Sequence, residues 1–446
     1  MTYSELKKKK IGFISLGCDK NRVDLEKMIF AFKNAGFNIV NSYEDANIIV
    51  INTCAFILDA RKESINTILE TIPLKQLNLE KIVVTGCLNN LNYTDLNESM
   101  PEVDAFVPLK DNPKIVEIVC NLYGVKFSGL SNEIKGADRV LTTPKHFAYL
   151  KIADGCDNFC TYCTIPYIRG RYKSEPMDKL VLETQNLVKN GVKEVILVAQ
   201  DVTKYGADIY GKPHIVELIK ELSKINGLDK IRLLYCYPDL IDDALINEIA
   251  TNDKVAKYID IPLQHISDNI LKRMNRRVNH SQICNIIDKL RLACPEIKIR
   301  STFILGFPGE TEDDFNTLCQ FVKDYKLDYV GFFKYSKEDG TPAAKMQNQV
   351  PAKIKTQRLK TLSNIQYENV VENNKKMIGK TFKCVLDFIE GDFAYFRNEY
   401  LCPSVDPMII TKANTDLKIG EYYSVKIVGY NKYDLLGEIL WIYQIK

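Results

Sequence analysis

Three cysteines in the stretch CDNFCTYC, Cys156, Cys160 and Cys163, stand four and three residues apart, directly after the apolar run FAYLKIAD. Thiolates so grouped suit iron, and a four-iron cluster held by only three of them keeps one iron open to an outside ligand. Structural zinc is the competing use. It closes its shell with four ligands, however, and the next candidate, His146, lies before the run rather than beside the cysteines.

A second set is spread through the first ninety residues. Cys18 follows KIGFISLG, Cys54 follows ANIIVINT and Cys87 follows EKIVVTG. If those runs are strands of one parallel sheet, the three thiols meet at the edge where open α/β sheets take ligands, and a second cluster is the inference. Buried cysteines acting as small apolar side chains at strand ends satisfy the same pattern, so spacing alone leaves both uses open. The other seven of the 13 cysteines lie singly in apolar segments and read as core.

The elements that must position these groups follow from the hydrophobic pattern. Over residues 1–140, β-rich runs alternate with helical segments such as VDLEKMIFAFKNAG and ARKESINTILETI, which implies a buried parallel α/β sheet. Over 141–345 the alternation resumes six times, from FAYLKIAD to YVGFFKYS, which implies an open (β/α)6 barrel with its chemistry at the C-terminal strand ends. The Lys- and Asn-rich stretch 346–376 reads as a helical connector with a solvated face, and 377–446 as a small all-β barrel. The fold class is therefore α/β multidomain with a β-barrel appended.

Charge and composition narrow the setting. A formal net charge of +3 is small beside 60 Lys and Arg and 57 Asp and Glu, so no bulk attraction to nucleic acid or an acidic membrane is expected. No apolar run reaches the roughly 20 residues of a membrane span, and the N-terminus lacks the form of a signal peptide. An odd number of cysteines fits a reducing compartment, so the expected location is the cytoplasm.

CDNFCTYC, with Tyr162 before its last cysteine, resembles the radical S-adenosylmethionine (SAM) signature, and FILGFPGET and VAQD resemble further strand ends of that superfamily. The resemblance implies that the open iron chelates SAM and that electron transfer yields a deoxyadenosyl radical. It makes Tyr162, Gln200, Gly306 and Gly309 candidate SAM contacts, the glycines by permitting close backbone approach. With LGCDKN, INTCAFI and TGC added, the whole chain resembles the methylthiotransferases, whose C-terminal barrel is a TRAM module. Membership implies two 4Fe-4S clusters, on Cys156, Cys160 and Cys163 and on Cys18, Cys54 and Cys87, together with an electron donor such as flavodoxin or ferredoxin and a sulfur source.

The family has a branch that modifies an adenosine beside the tRNA anticodon and one that modifies the β-carbon of an aspartate in small-subunit ribosomal protein twelve. Gln200-Asp201, Leu263-Gln264-His265, LLYCYP and RNEYLCPSVD look like the second. The last 70 residues carry eight Lys and Arg against nine Asp and Glu, no signature of a tRNA grip. One departure is Ser174-Glu175-Pro176, where the family often has Arg in the middle position, so no role of that arginine carries over. Arg169 and Arg171 are candidates for pairing with a carboxylate, or equally for a solvated loop, and His265 stands at a strand end near the expected substrate.

Overall fold

In the computed structural model, which describes residues 1–90, 96–127 and 138–442, the first sheet contains Lys10–Ser15 (β1), Asn38–Ile39 (β2), Ile48–Thr53 (β3), Lys81–Gly86 (β4) and Ala105–Phe106 (β5). All pairings are parallel and the order is β2-β1-β3-β4-β5. The chain winds away from β1 in both directions, so a switch point lies between β1 and β3, where the loops part and leave a crevice beyond the carboxyl ends. Every residue of β3 is buried, which explains its unbroken apolar run: helices cover both faces. One of them, Asp19–Asn34, packs Leu25, Met28, Ile29 and Phe32 into the core shared with β1 and β3.

The central sheet contains Phe147–Lys151 (β6), continues after the short ribbon Ala153–Asp154 (β7) paired with Lys173–Ser174 (β8), and runs through Glu194–Val198 (β9), Lys230–Leu233 (β10), Val255–Gln264 (β11), Lys298–Leu305 (β12) and Tyr329–Lys334 (β13). Its six strands are parallel in the order β6-β9-β10-β11-β12-β13, each beside its predecessor, and no pairing joins β13 back to β6. This is the open six-unit barrel that the alternation implies. The antiparallel β7–β8 ribbon pinches together the two ends of the loop 155–172, which carries Cys156, Cys160 and Cys163.

The connector forms one helix, Ala352–Lys375, and it is more than a solvated spacer: Arg358, Leu362, Gln366, Asn369 and Val370 form a buried stripe. Gln366 and Asn369 donate from that stripe to the carbonyls of Leu327 and Val322, docking the helix on the barrel. Beyond it, Thr381–Glu390 (β14), Phe393–Arg397 (β15), Ile409–Lys412 (β16), Tyr422–Asn431 (β17) and Asp434–Ile442 (β18) close into a barrel in the order β14-β15-β16-β18-β17. The alternation in β17, whose inward Tyr423, Val425 and Ile427 are buried, is the period-2 signature of a strand with one wet face.

Candidate active site

Cys18, Cys54 and Cys87 follow the adjacent strands β1, β3 and β4, at the carboxyl edge of the first sheet. A Cβ on Gly17 would lie 2.8 Å from the Cys54 Cβ and 3.0 Å from its Sγ, so the turn before Cys18 rests directly on Cys54. Gly86, at φ +98°, ends β4 against the Thr53 backbone, where a Cβ would fall 2.4 Å from the carbonyl oxygen; only glycine lets Cys87 approach the end of β3 so closely.

The residue that ties the three strand ends together is Asn21, fully buried in the first turn after Cys18. Its Nδ2 donates to the carbonyls of Leu16 (3.1 Å) and Thr53 (2.9 Å), and its Oδ1 faces the Cys87 Sγ at 3.6 Å. Ser64 fixes Cys54 from the other side, donating to its carbonyl (2.7 Å) and accepting its N–H (3.0 Å).

In the second triad, the Cys156 N–H donates to Gly170 O (3.1 Å), and the Cys163 N–H to Cys160 O (3.0 Å), so the loop folds back on itself. Thr161 is bound to Met274 O and Arg273 O, and Asn275 donates to Asn158 O and Phe159 O, which anchors the loop to the segment after β11. Arg276 from that segment brings its guanidinium 4.0 Å from the Cys160 Sγ and 3.9 Å from the centre of the Tyr237 ring. Phe159, Tyr235, Gln264 and Asn275 all adopt positive φ here, a concentration of local strain typical of functional loops.

Buried ions join the two triads. The Arg169 side chain, 1% exposed, pairs with Asp24 (3.2 Å) and Asp154 (2.8 Å) and donates to Asn21 Oδ1. Lys151 pairs with the same two carboxylates, and Gln200 Nε2 reaches Asp154 at 3.3 Å. Burial would raise the Asp154 carboxyl, but Lys151 and Arg169 outweigh it and hold it far below the usual carboxylate range.

Among the described residues no three Cys, His, Asp or Glu side chains converge on a point that would grip a single metal ion. A four-iron cluster makes no such demand, since each thiolate bonds a different iron. Burial pushes the Cys87 thiol up to about 12; Arg169 opposes this, while the charges of Cys18 and Cys54 add to it. Burial likewise lifts Cys156 to about 11 and raises Cys163, where the charge of Cys160 contributes. Cys54, Cys87, Cys156 and Cys160 are buried, Cys163 is half-buried and Cys18 is exposed; the ionised forms within each set repel one another, and a polynuclear cationic centre would stabilise them.

The other residues singled out by sequence divide. Tyr162 stands edge-on to Phe307, 6.3 Å between ring centres, beside the cysteine loop. Gln200 lies at the end of β9 with its Oε1 buried and without a partner among the described residues. Gly306 and Gly309 do permit close approach, but the groups that use it are the side chains of Lys355 and Arg273. His265 is fully buried, accepting from the Ser267 N–H (3.0 Å) and 3.6 Å from Glu310, so it is part of the core. Arg171 is 79% exposed and pairs with Asp157. Sequence reasoning overlooked Asn21, Asp24, Asp154 and Arg276; LGCDKN contains the first, yet nothing in one strand announces bonds to residues more than a hundred positions away.

The parallel half-barrel with its cysteine loop at the C-terminal strand ends defines a radical SAM protein, and a family model described as the radical SAM superfamily matches residues 150–322. Residues 10–108 match the uncharacterized protein family UPF0004, and residues 378–440 the TRAM domain. The fold is similar to that of the radical S-adenosylmethionine methyltransferase TsrM from Kitasatospora setae (TM-score 0.55, 12% identity, covering 86% of this chain and 79% of that one). Ribosomal protein uS12 methylthiotransferase RimO of Acetivibrio thermocellus is 44% identical, covering 97% of this chain and 99% of the relative. RimO of Clostridium tetani is 45% identical, with 96% and 98% covered. The chain belongs to the RimO family of radical SAM methylthiotransferases. Radical SAM membership implies a 4Fe-4S cluster and SAM.

Proposed function

We propose that this chain places a methylthio group on the β-carbon of an aspartate in ribosomal protein uS12, the substrate for which its relatives are named. The observation that supports the reading most is the pair of three-cysteine edges, one at the carboxyl edge of the first sheet and one at the mouth of the half-barrel, linked through Arg169. With a 4Fe-4S cluster on Cys156, Cys160 and Cys163 and another on Cys18, Cys54 and Cys87, the first would supply, from SAM, a radical able to take hydrogen from an unactivated carbon, and the second the sulfur.

The chain's own part is placement. Asn21 and Ser64 hold the first triad's backbone, the β7–β8 ribbon holds the second, and Arg169 with Asp24, Asp154 and Lys151 fixes the seam between them. Tyr162 and Gln200 are the SAM-side contacts that this placement favours. An electron donor such as flavodoxin or ferredoxin and a sulfur source complete the reading, in the cytoplasm. No helix among the described residues is long and apolar enough to cross a membrane.

The test is an anaerobic assay of the reconstituted protein with SAM, reductant and sulfide, offering uS12 and unmodified tRNA together and reading both by mass spectrometry. A methylthio group on an aspartate-containing peptide is expected. A gain on the nucleoside alone overturns the substrate assignment and leaves the radical SAM class intact.

A further inference from the structure

Lys20 is a buried cation with its charge left over. It lies in the first turn after Cys18, is 7% exposed, and points across the seam to the barrel, where its Nζ sits 3.4 Å from the centre of the Tyr235 ring and 3.5 Å from the carbonyl of Ala199. An ammonium has three donors. One long bond to a carbonyl and a ring face occupy them poorly, and among the described residues no carboxylate stands within ion-pair distance of it. Lys151 and Arg169, the buried cations nearby, are saturated by Asp24 and Asp154. A buried charge without an anion is costly unless an anion arrives.

The ammonium stands beside two strand ends of the half-barrel. Ala199 directly precedes Gln200 at the end of β9, and Tyr235 follows β10; both strand ends open toward the cysteine loop. Tyr235 is held at φ 59°, a conformation that costs a tyrosine energy, by the Asp260 carboxylate accepting its N–H (3.0 Å) and by Val202 donating to its carbonyl (3.0 Å). Its ring is thereby aimed at Lys20.

We propose that the Lys20 ammonium is the receptor for the side-chain carboxylate of the substrate aspartate and so determines specificity for an acidic residue. This rests on the uS12 reading and deepens it. The carboxylate carbon of an aspartate is bonded directly to its β-carbon, so the group that holds the carboxylate also fixes the carbon to be modified between the two triads. Tyr235 holds the lysine in place and adds no competing anion at the ring face. Asp19 contacts the hydroxyl end of the same ring (3.4 Å), away from that face.

The experiment compares the reconstituted full-length wild type, Lys20→Met and Lys20→Arg on uS12 and on uS12 with the target aspartate replaced by asparagine, each enzyme loaded to the same iron content. Wild type should prefer the aspartate form by about 100-fold in kcat/KM, the scale expected when one partner of a buried charge pair is lost. Lys20→Met should lose that preference, handling both forms within about threefold, while Lys20→Arg keeps it. A lysine that merely pins the helix to the barrel would depress both substrates alike, and a Lys20→Met enzyme that still prefers aspartate overturns the proposal. If Lys20→Met takes up no iron, the wild-type comparison decides: equal handling of the two forms refutes it. Wild type that modifies neither form but modifies tRNA brings down the uS12 reading together with this inference, a result distinct from all the others.

Discussion

Asn21 shows how much of this site hangs on single side chains. Replacing it with Ala removes both donors that hold the ends of β1 and β3 and the acceptor shared by Arg169 and Cys87, at a cost of about 2–3 kcal/mol. Asn21→Ala should therefore lose about half of the bound iron, that of the first triad, by iron and sulfide analysis, because the loop around Cys156 has its own supports. At the other triad, the positive charge of Arg276 near Cys160 favours the reduced, more negative state of a bound cluster. Arg276→Met should shift the midpoint potential about 60 mV to the negative side, equivalent to tenfold for one electron, as read by redox titration. Cys156, Cys160 and Cys163 stood out because three thiols at short spacing have few uses, whereas Cys18, Cys54 and Cys87 stood out only as the residues that follow three strands of one sheet. Asn21 and Arg276 did not, since an asparagine after a cysteine and an arginine in a loop have many, and their partners come from elsewhere in the chain.

Elements were easier to foresee than the contacts that finish them. The unbroken apolar runs of β3, β4 and β9 announce a covered parallel sheet, and in the structure Thr311 and Asp314 form the capping box of the helix that follows FILGFPGE. The helix Leu58–Thr71 carries no such signal: Ile57 precedes it and gives it no side-chain cap. Its cap arrives from the far end of the half-barrel, where Glu338 accepts the Leu58 N–H (3.1 Å) and pairs with Arg61 in the first turn (2.6 Å). Glu338 thus fastens the first sheet's helix, just beyond Cys54, to the segment after β13. Glu338→Ala leaves the Arg61 guanidinium buried and unpaired, which costs about 3–5 kcal/mol. Hydrogen exchange over residues 58–71 should accelerate markedly while the strands of the TRAM barrel keep their protection; unchanged exchange there would show that the helix needs no outside cap.

Across the whole molecule, the half-barrel and the TRAM barrel share a buried ionic seam whose acid response can be worked out. Glu194 on β9, fully buried, lies between Arg232 (2.7 Å) and Arg397 (2.5 Å), and Arg397 continues to Asp387 (3.0 Å), which meets His146 (2.6 Å). Burial would raise the Glu194 carboxyl, but Arg397 and Arg232 outweigh it and hold it at about 2 against an ordinary 4.5. The folded state therefore prefers the ionised form, giving stability that is complete above about pH 4.5 and lost as pH falls toward 2, about 3 kcal/mol in all. Asp406, in the TRAM segment between β15 and β16, behaves oppositely. Burial pushes it up to about 6 despite the Cys402 N–H (2.8 Å) and Arg300 (3.4 Å), so the folded state keeps a proton that the unfolded chain releases above an ordinary 3.8. Its effect is a loss of about 3 kcal/mol as pH rises from 4 to 6. Urea unfolding of the full chain between pH 2.5 and 7 separates the two. The advantage of wild type over Glu194→Gln should shrink only below pH 4.5, whereas the stability of wild type relative to Asp406→Asn should fall between pH 4 and 6 and level off above. Parallel curves for wild type and Glu194→Gln would mean that the arginines do not hold the glutamate ionised, and that the polar docking of the TRAM barrel rests on its other pairs, such as Asp387 with His146 and Asp406 with Arg300.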